Sequence, residues 1–265
     1  MGQAIFITGT DTGVGKTIVT AALGLSLQKQ GLNVGIMKPF QCSGDDAQFL
    51  VKTLVIKDDM KLINPYYADE PLAPSVAFKR KKEKVNLKKV FAAYQELKKR
   101  HDILLVEGAG GLLVPIKDKY LVVDLIKDLK IPAIIVARAG LGTINHALLT
   151  ERYALNAGIN VLGVVINGYK GDNLAEKTNP EALKQLLSVP VLAILPFILK
   201  INSRISFLTG ASISSFSAKV RKGLRRTSGE SLSVVFSKSE RVVNRSARRK
   251  SCASASRKAE GDMIV

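Results

Sequence analysis

Gly9-Thr10-Asp11-Thr12-Gly13-Val14-Gly15-Lys16-Thr17 follows the apolar run Ala4–Ile7 and precedes a segment with helical apolar periodicity. A buried strand that turns through glycines into Lys-Thr at the start of a helix is typical of a loop that holds nucleotide phosphates. The glycines let backbone N–H groups approach phosphate oxygens, Lys16 would reach the β- and γ-phosphates, and the Thr17 hydroxyl would meet Mg²⁺. The first glycine and the glycine before Lys16 enclose five residues instead of the usual four. The sequence therefore predicts that the protein binds ATP or GTP.

The composition indicates a globular protein. The 265 residues are 46% hydrophobic, which is enough for one large domain or two small ones. No apolar run approaches the roughly 20 residues of a transmembrane helix, and the first apolar run leads into the phosphate loop instead of a signal-peptide cleavage site. We therefore expect a cytoplasmic protein without a membrane partner. Cys42 and Cys252 lie far apart in dissimilar surroundings, so we expect neither a disulfide nor a cysteine metal site.

The net charge of +18 is concentrated at one end of the chain. Residues 198–265 carry 15 Lys and Arg against 4 Asp and Glu, a balance of +11 that leaves +7 for the first 197 residues. This basic tail also contains 15 serines and has no sustained helical or strand period, a composition that predicts disorder or marginal order. A nucleic-acid-binding protein that acts through the tail is one alternative function. For the main domain we expect no nucleic-acid partner, and for the tail non-specific binding at most.

Strand-like apolar runs alternate with helix-like segments up to about residue 197. The predicted strands are Ala4–Thr8, Val34–Met37, Ile103–Val106, Ala133–Ala137, Val161–Ile166 and Val191–Ile194. The predicted helices are Lys16–Gln30, Leu87–Arg100, Val122–Leu129, Thr143–Asn156 and Pro180–Leu187. This alternation predicts an α/β fold of the P-loop NTPase type over residues 1–197, with a parallel sheet covered by helices on both faces. In such folds ligands bind outside the carboxyl ends of the strands.

Polar residues follow several of these strands. Lys38 ends the second strand, where its ammonium would neutralise charge on a transferring phosphoryl group; an exposed lysine at a strand end is the alternative. Asp45 and Asp46 come soon after, and either one would bring a carboxylate to Mg²⁺ or place negative charge at the start of the next helix.

Two later strands also end in residues that suit a nucleotide site. Glu107 closes the strand Ile103–Val106 and precedes Gly108-Ala109-Gly110-Gly111. An acidic residue in this position is typical of the second carboxylate near the metal in such proteins, and the glycines would let the backbone approach phosphate; a plain glycine turn is the alternative. Asn167 follows the fifth strand, and its amide suits either the edge of a nucleobase or a turn.

Taken together, these segments resemble the dethiobiotin synthetase family, the ATP-dependent carboxylase/cyclo-ligases of biotin synthesis. The resemblance covers residues 1 to about 197 and includes the five-residue gap in the phosphate loop. The other motifs occur in the family's order: Lys38-Pro39-Phe40, Asn64-Pro65-Tyr66 with Glu70-Pro71-Leu72-Ala73-Pro74, Val106-Glu107-Gly108-Ala109-Gly110-Gly111 and Gly140-Leu141-Gly142-Thr143-Ile144-Asn145-His146.

The resemblance implies a homodimeric enzyme that uses ATP and Mg²⁺ to join CO₂ to 7,8-diaminononanoate (diaminopelargonate). One amine would capture CO₂ as a carbamate, and the carbamate would attack the γ-phosphate of ATP to give a carbamic–phosphoric anhydride. The second amine would then close the ureido ring and expel phosphate. Such a reaction depends on positioning and electrostatics and needs no Ser/His/Asp triad.

The resemblance also implies a role for each matching residue. Lys16 and Lys38 would be catalytic, and Thr17, Asp46 and Glu107 would gather Mg²⁺. Contacts to the nucleotide would come from Gly13, Val14, Gly15, Lys16, Thr17, Ile18, Glu107, Gly108, Ala109, Gly110, Asn167, Gly168, Pro196 and Phe197. Contacts to the diamine or carbamate would come from Thr12, Lys38, Cys42 and Ser43.

The chain departs from the family pattern in two places. Cys42 stands where the family usually has a small hydroxyl residue, and Ser43 follows it. The pattern also ends near Phe197, and the tail resembles sequence read in another frame. We hypothesise a frameshift there, and a genuine basic extension is the alternative. The rival function is a switch ATPase of the partition or septum-site type, whose loop carries a lysine five positions before the Gly-Lys lysine; this chain has Asp11 there.

Overall fold

A computed structural model of the protein describes residues 2–197 and 211–228. Its strands are β1 (Gln3–Gly9), β2 (Val34–Met37), β3 (Phe40–Cys42), β4 (Tyr66–Ala68), β5 (Ile103–Gly111), β6 (Pro115–Lys117), β7 (Tyr120–Leu121), β8 (Ala133–Arg138), β9 (Val161–Tyr169) and β10 (Val191–Pro196). Its helices are α1 (Lys16–Lys29), α2 (Asp46–Leu54), α3 (Met60–Ile63), α4 (Pro74–Arg80), α5 (Leu87–Arg100), α6 (Val122–Leu129), α7 (Thr143–Asn156), α8 (Leu174–Leu186) and α9 (Ala211–Ser228).

The central sheet has six strands in the order β10-β9-β8-β1-β5-β2, and every neighbouring pair is parallel. These are the six strands that the sequence predicts. Strand β1 lies between β5 and β8, so the phosphate loop leaves the sheet near its middle, next to the carboxyl ends of both neighbours. The predicted α/β fold with a parallel sheet of the P-loop type is confirmed.

Helices cover both faces of the sheet, as its apolar strands predict. Along β1, Ala4 and Phe6 join one apolar cluster, whereas Ile5 and Ile7 join another. The first cluster takes side chains from α4, α5, α6, α7 and α8, and the second from α1 and α9. Alternate residues of a strand point to opposite faces, so one continuous apolar run fills both clusters. No helix in the described part of the chain combines the length and apolarity needed to cross a bilayer.

Helix α9 lies within the segment for which the sequence predicts disorder. Phe216, Val220 and Leu224 recur every four residues and are buried in the same cluster as the apolar residues of α1. The Ser217 hydroxyl lies 2.8 Å from that of Ser26 on α1. The predicted disorder is therefore wrong for residues 211–228, because an apolar stripe on one helix face supplies the buried area that holds this segment in place. Residues 198–210 and 229–265 lie outside the described residues.

The described residues up to Leu224 belong to one compact unit. The predicted domain boundary at residue 197 stays a prediction. Cys42 lies in this unit and is a free thiol, whereas Cys252 lies outside the described residues.

Candidate active site

The phosphate loop owes its shape to two glycines. Gly13 has a φ of 72° and Gly15 a φ of 88°, in the left-handed region that glycine adopts without strain. A side chain at Gly15 would also collide with the amide of Asn167. Because Gly15 caps α1, the helix begins at Lys16 and its first backbone N–H groups have no helical partner. Free N–H groups at a helix start, next to a glycine turn, are the usual basis of phosphate binding.

Lys16 is almost fully buried at the start of α1. Its ammonium donates a hydrogen bond to the carbonyl of Asp11 at 3.0 Å. Burial lowers the pKa of Lys16 to about 8, although the nearby carboxylate of Glu107 acts in the opposite direction. The Asp11 carboxylate accepts a hydrogen bond from Arg138, at the end of β8, at 2.7 Å. Lys16 is therefore a cation whose charge a bound anion would stabilise.

Polar side chains from four elements meet beside Lys16. Glu107, on β5, is fully buried, and its Oε1 accepts hydrogen bonds from the Thr17 hydroxyl at 2.8 Å and the Lys38 ammonium at 2.6 Å. Lys38, just beyond β2, also forms an ion pair with Asp46, the first residue of α2. The second carboxylate oxygen of Glu107 is buried and has no hydrogen-bond partner among the described residues. The predicted catalytic and metal-binding side chains thus form one cluster.

The ammonium of Lys38 lies between two carboxylates. Burial alone would lower the pKa of Lys38, but the charges of Glu107 and Asp46 outweigh burial and raise the pKa above its ordinary value. Lys38 therefore stays protonated at neutral pH. Its charge together with that of Lys16 balances the two carboxylates, so the cluster is neutral when Lys16 is protonated.

Gln41 shapes the turn that carries the predicted substrate residues. Its side chain is buried, and its amide donates to the Gly44 carbonyl at 2.8 Å while its oxygen accepts from the Ala47 N–H at 3.0 Å. The turn brings Asp46 to Lys38 and leaves Asp45 exposed. The sequence leaves the choice between these two aspartates open, and in the structure Asp46 is the one that joins the cluster.

Cys42 and Ser43 both line the cleft in front of this cluster. Burial raises the pKa of the Cys42 thiol to about 11, with the charge of Lys38 acting against it. The thiol is therefore neutral at physiological pH and offers a weak hydrogen-bond donor to the cleft. Ser43 has a φ of 68°, which places it at the bend of the turn.

The cleft has a volume of about 650 Å³. The predicted site residues that line it are Thr12, Gly13, Gly15, Lys16, Thr17, Ile18, Lys38, Cys42, Ser43, Asp46, Glu107, Ala109 and Gly110. A further part of the lining is apolar and includes Phe40, Val114 and the segment Pro71–Pro74. We call the segment Pro71–Pro74 the apolar wall. The sequence analysis assigns no role to these residues. The motif Glu70–Pro74 is the sequence feature from which the wall could have been predicted.

The remaining predicted residues lie outside the lining of this cleft: Val14, Gly108, Asn167, Gly168, Pro196 and Phe197. The amide of Asn167 donates to the Val14 carbonyl at 3.0 Å, which joins the end of β9 to the phosphate loop. The half-exposed ring of Phe197 lies near Gly168, and the Lys170 ammonium stands 4.4 Å from the centre of that ring. The predicted nucleobase residues thus gather at the ends of β9 and β10.

The donor set of the cluster fits Mg²⁺. The Thr17 hydroxyl, the Asp46 carboxylate and the unpartnered oxygen of Glu107 are hard oxygen ligands, which Mg²⁺ prefers. Mg²⁺ is usually held by one or two carboxylates and completes its shell with phosphate oxygens and water. Among the described residues, no three His, Cys, Asp or Glu side chains come together as a metal site. The residues therefore suit a magnesium ion that arrives with a nucleotide.

Comparison with known proteins agrees with this geometry. The sequence model of a family described as AAA domain matches residues 3–204. The ATP-dependent dethiobiotin synthetase BioD of Thermodesulfovibrio yellowstonii is 43% identical over 220 residues, which cover 76% of this chain and 92% of that protein. The protein of the same name from Methanocaldococcus jannaschii is 48% identical over 168 residues, covering 62% and 78% of the two chains.

Among solved structures, the septum site-determining protein MinD of Pyrococcus horikoshii, in complex with Mg-ADP, is similar with a TM-score of 0.54. The match covers 84% of this chain and 97% of that one, at 18% sequence identity. A likeness at this identity shows a shared fold and carries no information about activity.

Proposed function

Because the chain belongs to the family of ATP-dependent dethiobiotin synthetases, we propose that it uses ATP to close 7,8-diaminononanoate and CO₂ into dethiobiotin. The observation that carries the proposal is the position of Lys38. Its buried ammonium lies between Glu107 and Asp46, in a cleft that the phosphate loop also lines. A cation held there suits a reaction in which negative charge develops on a phosphoryl group and its attacking oxygen.

The proposed reaction has three steps. One amine of the substrate attacks CO₂ and loses a proton, which gives a carbamate. A carbamate oxygen attacks the γ-phosphorus of ATP and displaces ADP, which gives a carbamic–phosphoric anhydride. The second amine then attacks the carbamoyl carbon, expels inorganic phosphate, loses a proton and completes the ureido ring.

We assign the phosphate and carbamate contacts to residues of the cleft. The N–H groups of Gly13–Thr17 and the ammonium of Lys16 would hold the β- and γ-phosphates. Lys38 would turn from its two carboxylates to the carbamate and the γ-phosphoryl group, where its charge stabilises the transition state. Thr12 and the segment Cys42–Ser43 would orient the amine that carries the carbamate. Apart from Val14, these residues line the same cleft, which supports these roles.

Thr17, Asp46 and Glu107 would hold Mg²⁺, which neutralises charge on the β- and γ-phosphates when it is bound. The unpartnered buried oxygen of Glu107 supports this assignment, since a buried carboxylate oxygen without a partner is costly. Contacts to the adenine would come from Asn167, Gly168, Pro196 and Phe197. The hydrogen bond from Asn167 to the Val14 carbonyl places the first of these residues next to the phosphate loop.

A switch ATPase of the septum-site type remains the less favoured function. The fold is shared with such a protein, but the residue that marks the switch class in the phosphate loop is a lysine, and this chain has Asp11 there. The carboxylate of Asp11 accepts a hydrogen bond from Arg138, so this position has the opposite charge in this protein.

We also propose that the protein is a cytoplasmic homodimer, as the family resemblance implies. Leu141, Leu149 and Tyr153, within and just before α7, are large apolar side chains with exposed fractions of 90%, 61% and 43%. Leu149 and Tyr153 are four positions apart on α7 and therefore share one helix face, and exposed apolar groups of this kind suit an interface with a second copy. Sedimentation equilibrium that finds monomers alone at micromolar concentration would contradict this assembly.

One assay tests the proposed function. ADP formation is measured with ATP, Mg²⁺, diaminononanoate and bicarbonate, and then with the diamine or the bicarbonate omitted. We expect ADP release only in the complete mixture, together with dethiobiotin identified by mass spectrometry. ATP turnover that does not depend on the diamine would contradict the synthetase function and favour the switch ATPase.

The pKa of Lys16 predicts how ATP binding depends on pH. The pKa of about 8 means that Lys16 is mostly charged below pH 8 and increasingly neutral above it. Because bound phosphates favour the charged form, the Kd for a non-hydrolysable ATP analogue should rise roughly eightfold between pH 7.5 and pH 9. Calorimetric titration measures this Kd. A Lys16→Met variant should bind more weakly and lose this part of the pH dependence, and a wild-type Kd that stays constant would refute the prediction.

A further inference from the structure

The apolar wall lies in a bent segment that makes few backbone hydrogen bonds. Pro71, Leu72 and Ala73 line the cleft, and Pro74 is the first residue of α4. In the described structure, residues 69–72 make a single backbone hydrogen bond, the local one from the Leu72 N–H to the Glu70 carbonyl at 2.8 Å. Side-chain contacts must therefore help to hold this segment in position.

Glu70 and Arg80 provide such a contact. The Nε and Nη2 atoms of Arg80 donate to the two carboxylate oxygens of Glu70, both at 2.7 Å. A two-pronged pair of this kind fixes orientation as well as distance. Arg80 is the last residue of α4, and α4 is anchored in the core by buried Ala77 and Phe78. The wall runs from Pro71 to Pro74, the first residue of α4. The ion pair therefore connects Glu70, the residue just before the wall, to Arg80 at the other end of α4.

The wall suits one part of the proposed substrate. Diaminononanoate carries a hydrocarbon chain, whereas the phosphate loop and the cluster around Lys38 are polar. When the hydrocarbon chain packs against Pro71–Ala73, apolar surface of both is removed from water. This burial would stabilise the bound diamine equally in the ground state and in the transition state. Neither Glu70 nor Arg80 lines the cleft, so neither acts on the reacting atoms.

Resting on the proposed function, we propose that Glu70 and Arg80 are positioning residues for the diamine, whose ion pair holds Pro71–Ala73 against the hydrocarbon chain of the substrate. Loss of the pair should weaken binding of the diamine and leave phosphoryl transfer unchanged. The expected effect is modest, because the side chains of Arg80 and Glu70 are 61% and 44% exposed.

The test is the Glu70→Gln variant in the ADP assay. We expect the KM for diaminononanoate to rise about fivefold, with kcat and the KM for ATP unchanged. The matched control is Glu96→Gln on α5, which removes a similarly exposed partner of Arg100 and should leave all three parameters unchanged. The double variant Glu70→Arg with Arg80→Glu should restore most of the affinity for the diamine.

A second substrate separates the wall from the amine site. 2,3-Diaminobutane keeps two neighbouring amines and lacks the long chain, so wild type and Glu70→Gln should use it equally poorly. An unchanged KM for diaminononanoate in Glu70→Gln, or an equal loss with both diamines, would overturn the positioning role. If the wild-type protein releases no ADP in response to diaminononanoate, the proposed function fails, and the role of the ion pair fails with it.

Discussion

Replacement of Lys38 by methionine is expected to lower kcat for diamine-dependent ADP release by about 10³-fold, the order of effect seen when one preorganised charge-stabilising group is lost. Methionine keeps much of the side-chain volume, so the loss would come from the missing charge. In the ligand-free protein this charge is held between Glu107 and Asp46. In the proposed reaction it stabilises the carbamate and the γ-phosphoryl group in the transition state.

A second measurement separates this electrostatic role from damage to the fold. Without the Lys38 ammonium, Glu107 and Asp46 lose the cation that they share, so Lys38→Met should bind Mg²⁺ more tightly than wild type in the absence of nucleotide. The control is Lys52→Met, the same substitution at an exposed site on α2, for which both kcat and Mg²⁺ affinity should stay unchanged. A kcat for Lys38→Met within tenfold of wild type would show that another group stabilises the transferring phosphoryl group.

The cluster around Lys38 was predictable because parallel strands end at the same edge of the sheet. Lys38 follows β2 and Glu107 lies near the end of the buried part of β5, and these strands are neighbours. Thr17 is the second residue of α1, just after the loop that leaves β1, the other neighbour of β5. Residues 90 and 69 positions apart in sequence are thereby brought within hydrogen-bonding distance. Strand order alone, however, does not reveal that Lys38 pairs with both carboxylates.

The apolar wall and Gln41 were harder to predict, because their positions depend on non-local contacts. In the sequence, Gln41 looks like an ordinary polar residue after a strand. Only the fold shows that its side chain is buried and forms hydrogen bonds with the backbone of Gly44 and Ala47. The wall is visible as a Pro-rich motif, but its approach to the cleft depends on the pairing of β3 with β4 and on the packing of α4. Neither leaves a periodic signal in the sequence.

Helix α9 was missed for a compositional reason. The serines and basic residues of this segment lower its average hydropathy, so a short apolar stripe at every fourth position carries little weight against them. The family model nevertheless ends at residue 204, before the first residue of α9. The hypothesis of a shifted reading frame thus stays a prediction, although the apolar stripe of α9 packs in the same cluster as residues of the sheet.

Replacement of Phe216 by alanine is expected to have the largest effect on stability, a loss of about 3–5 kcal/mol in the free energy of unfolding, as for other large aromatic side chains in protein cores. Phe216 is fully buried in the cluster that α1 and the sheet also fill. Urea denaturation followed by circular dichroism measures the change. Ser215→Ala is the matched control, since Ser215 is exposed on the same helix and should leave the midpoint within about 0.5 kcal/mol of wild type.

The same variant tests whether this helix belongs to the folded enzyme. The hydroxyl of Ser217 contacts Ser26 and accepts a hydrogen bond from Gln30 at 2.6 Å, so α9 packs on the helix that starts at the phosphate loop. Phe216→Ala should therefore unfold at a lower urea concentration in a single transition, and bound ATP analogue should shift that transition upward, as for wild type. Equal midpoints for Phe216→Ala and Ser215→Ala would mean that residues 211–228 do not contribute to the core. A first transition that is insensitive to nucleotide would mean that α9 undocks by itself while the phosphate loop remains folded.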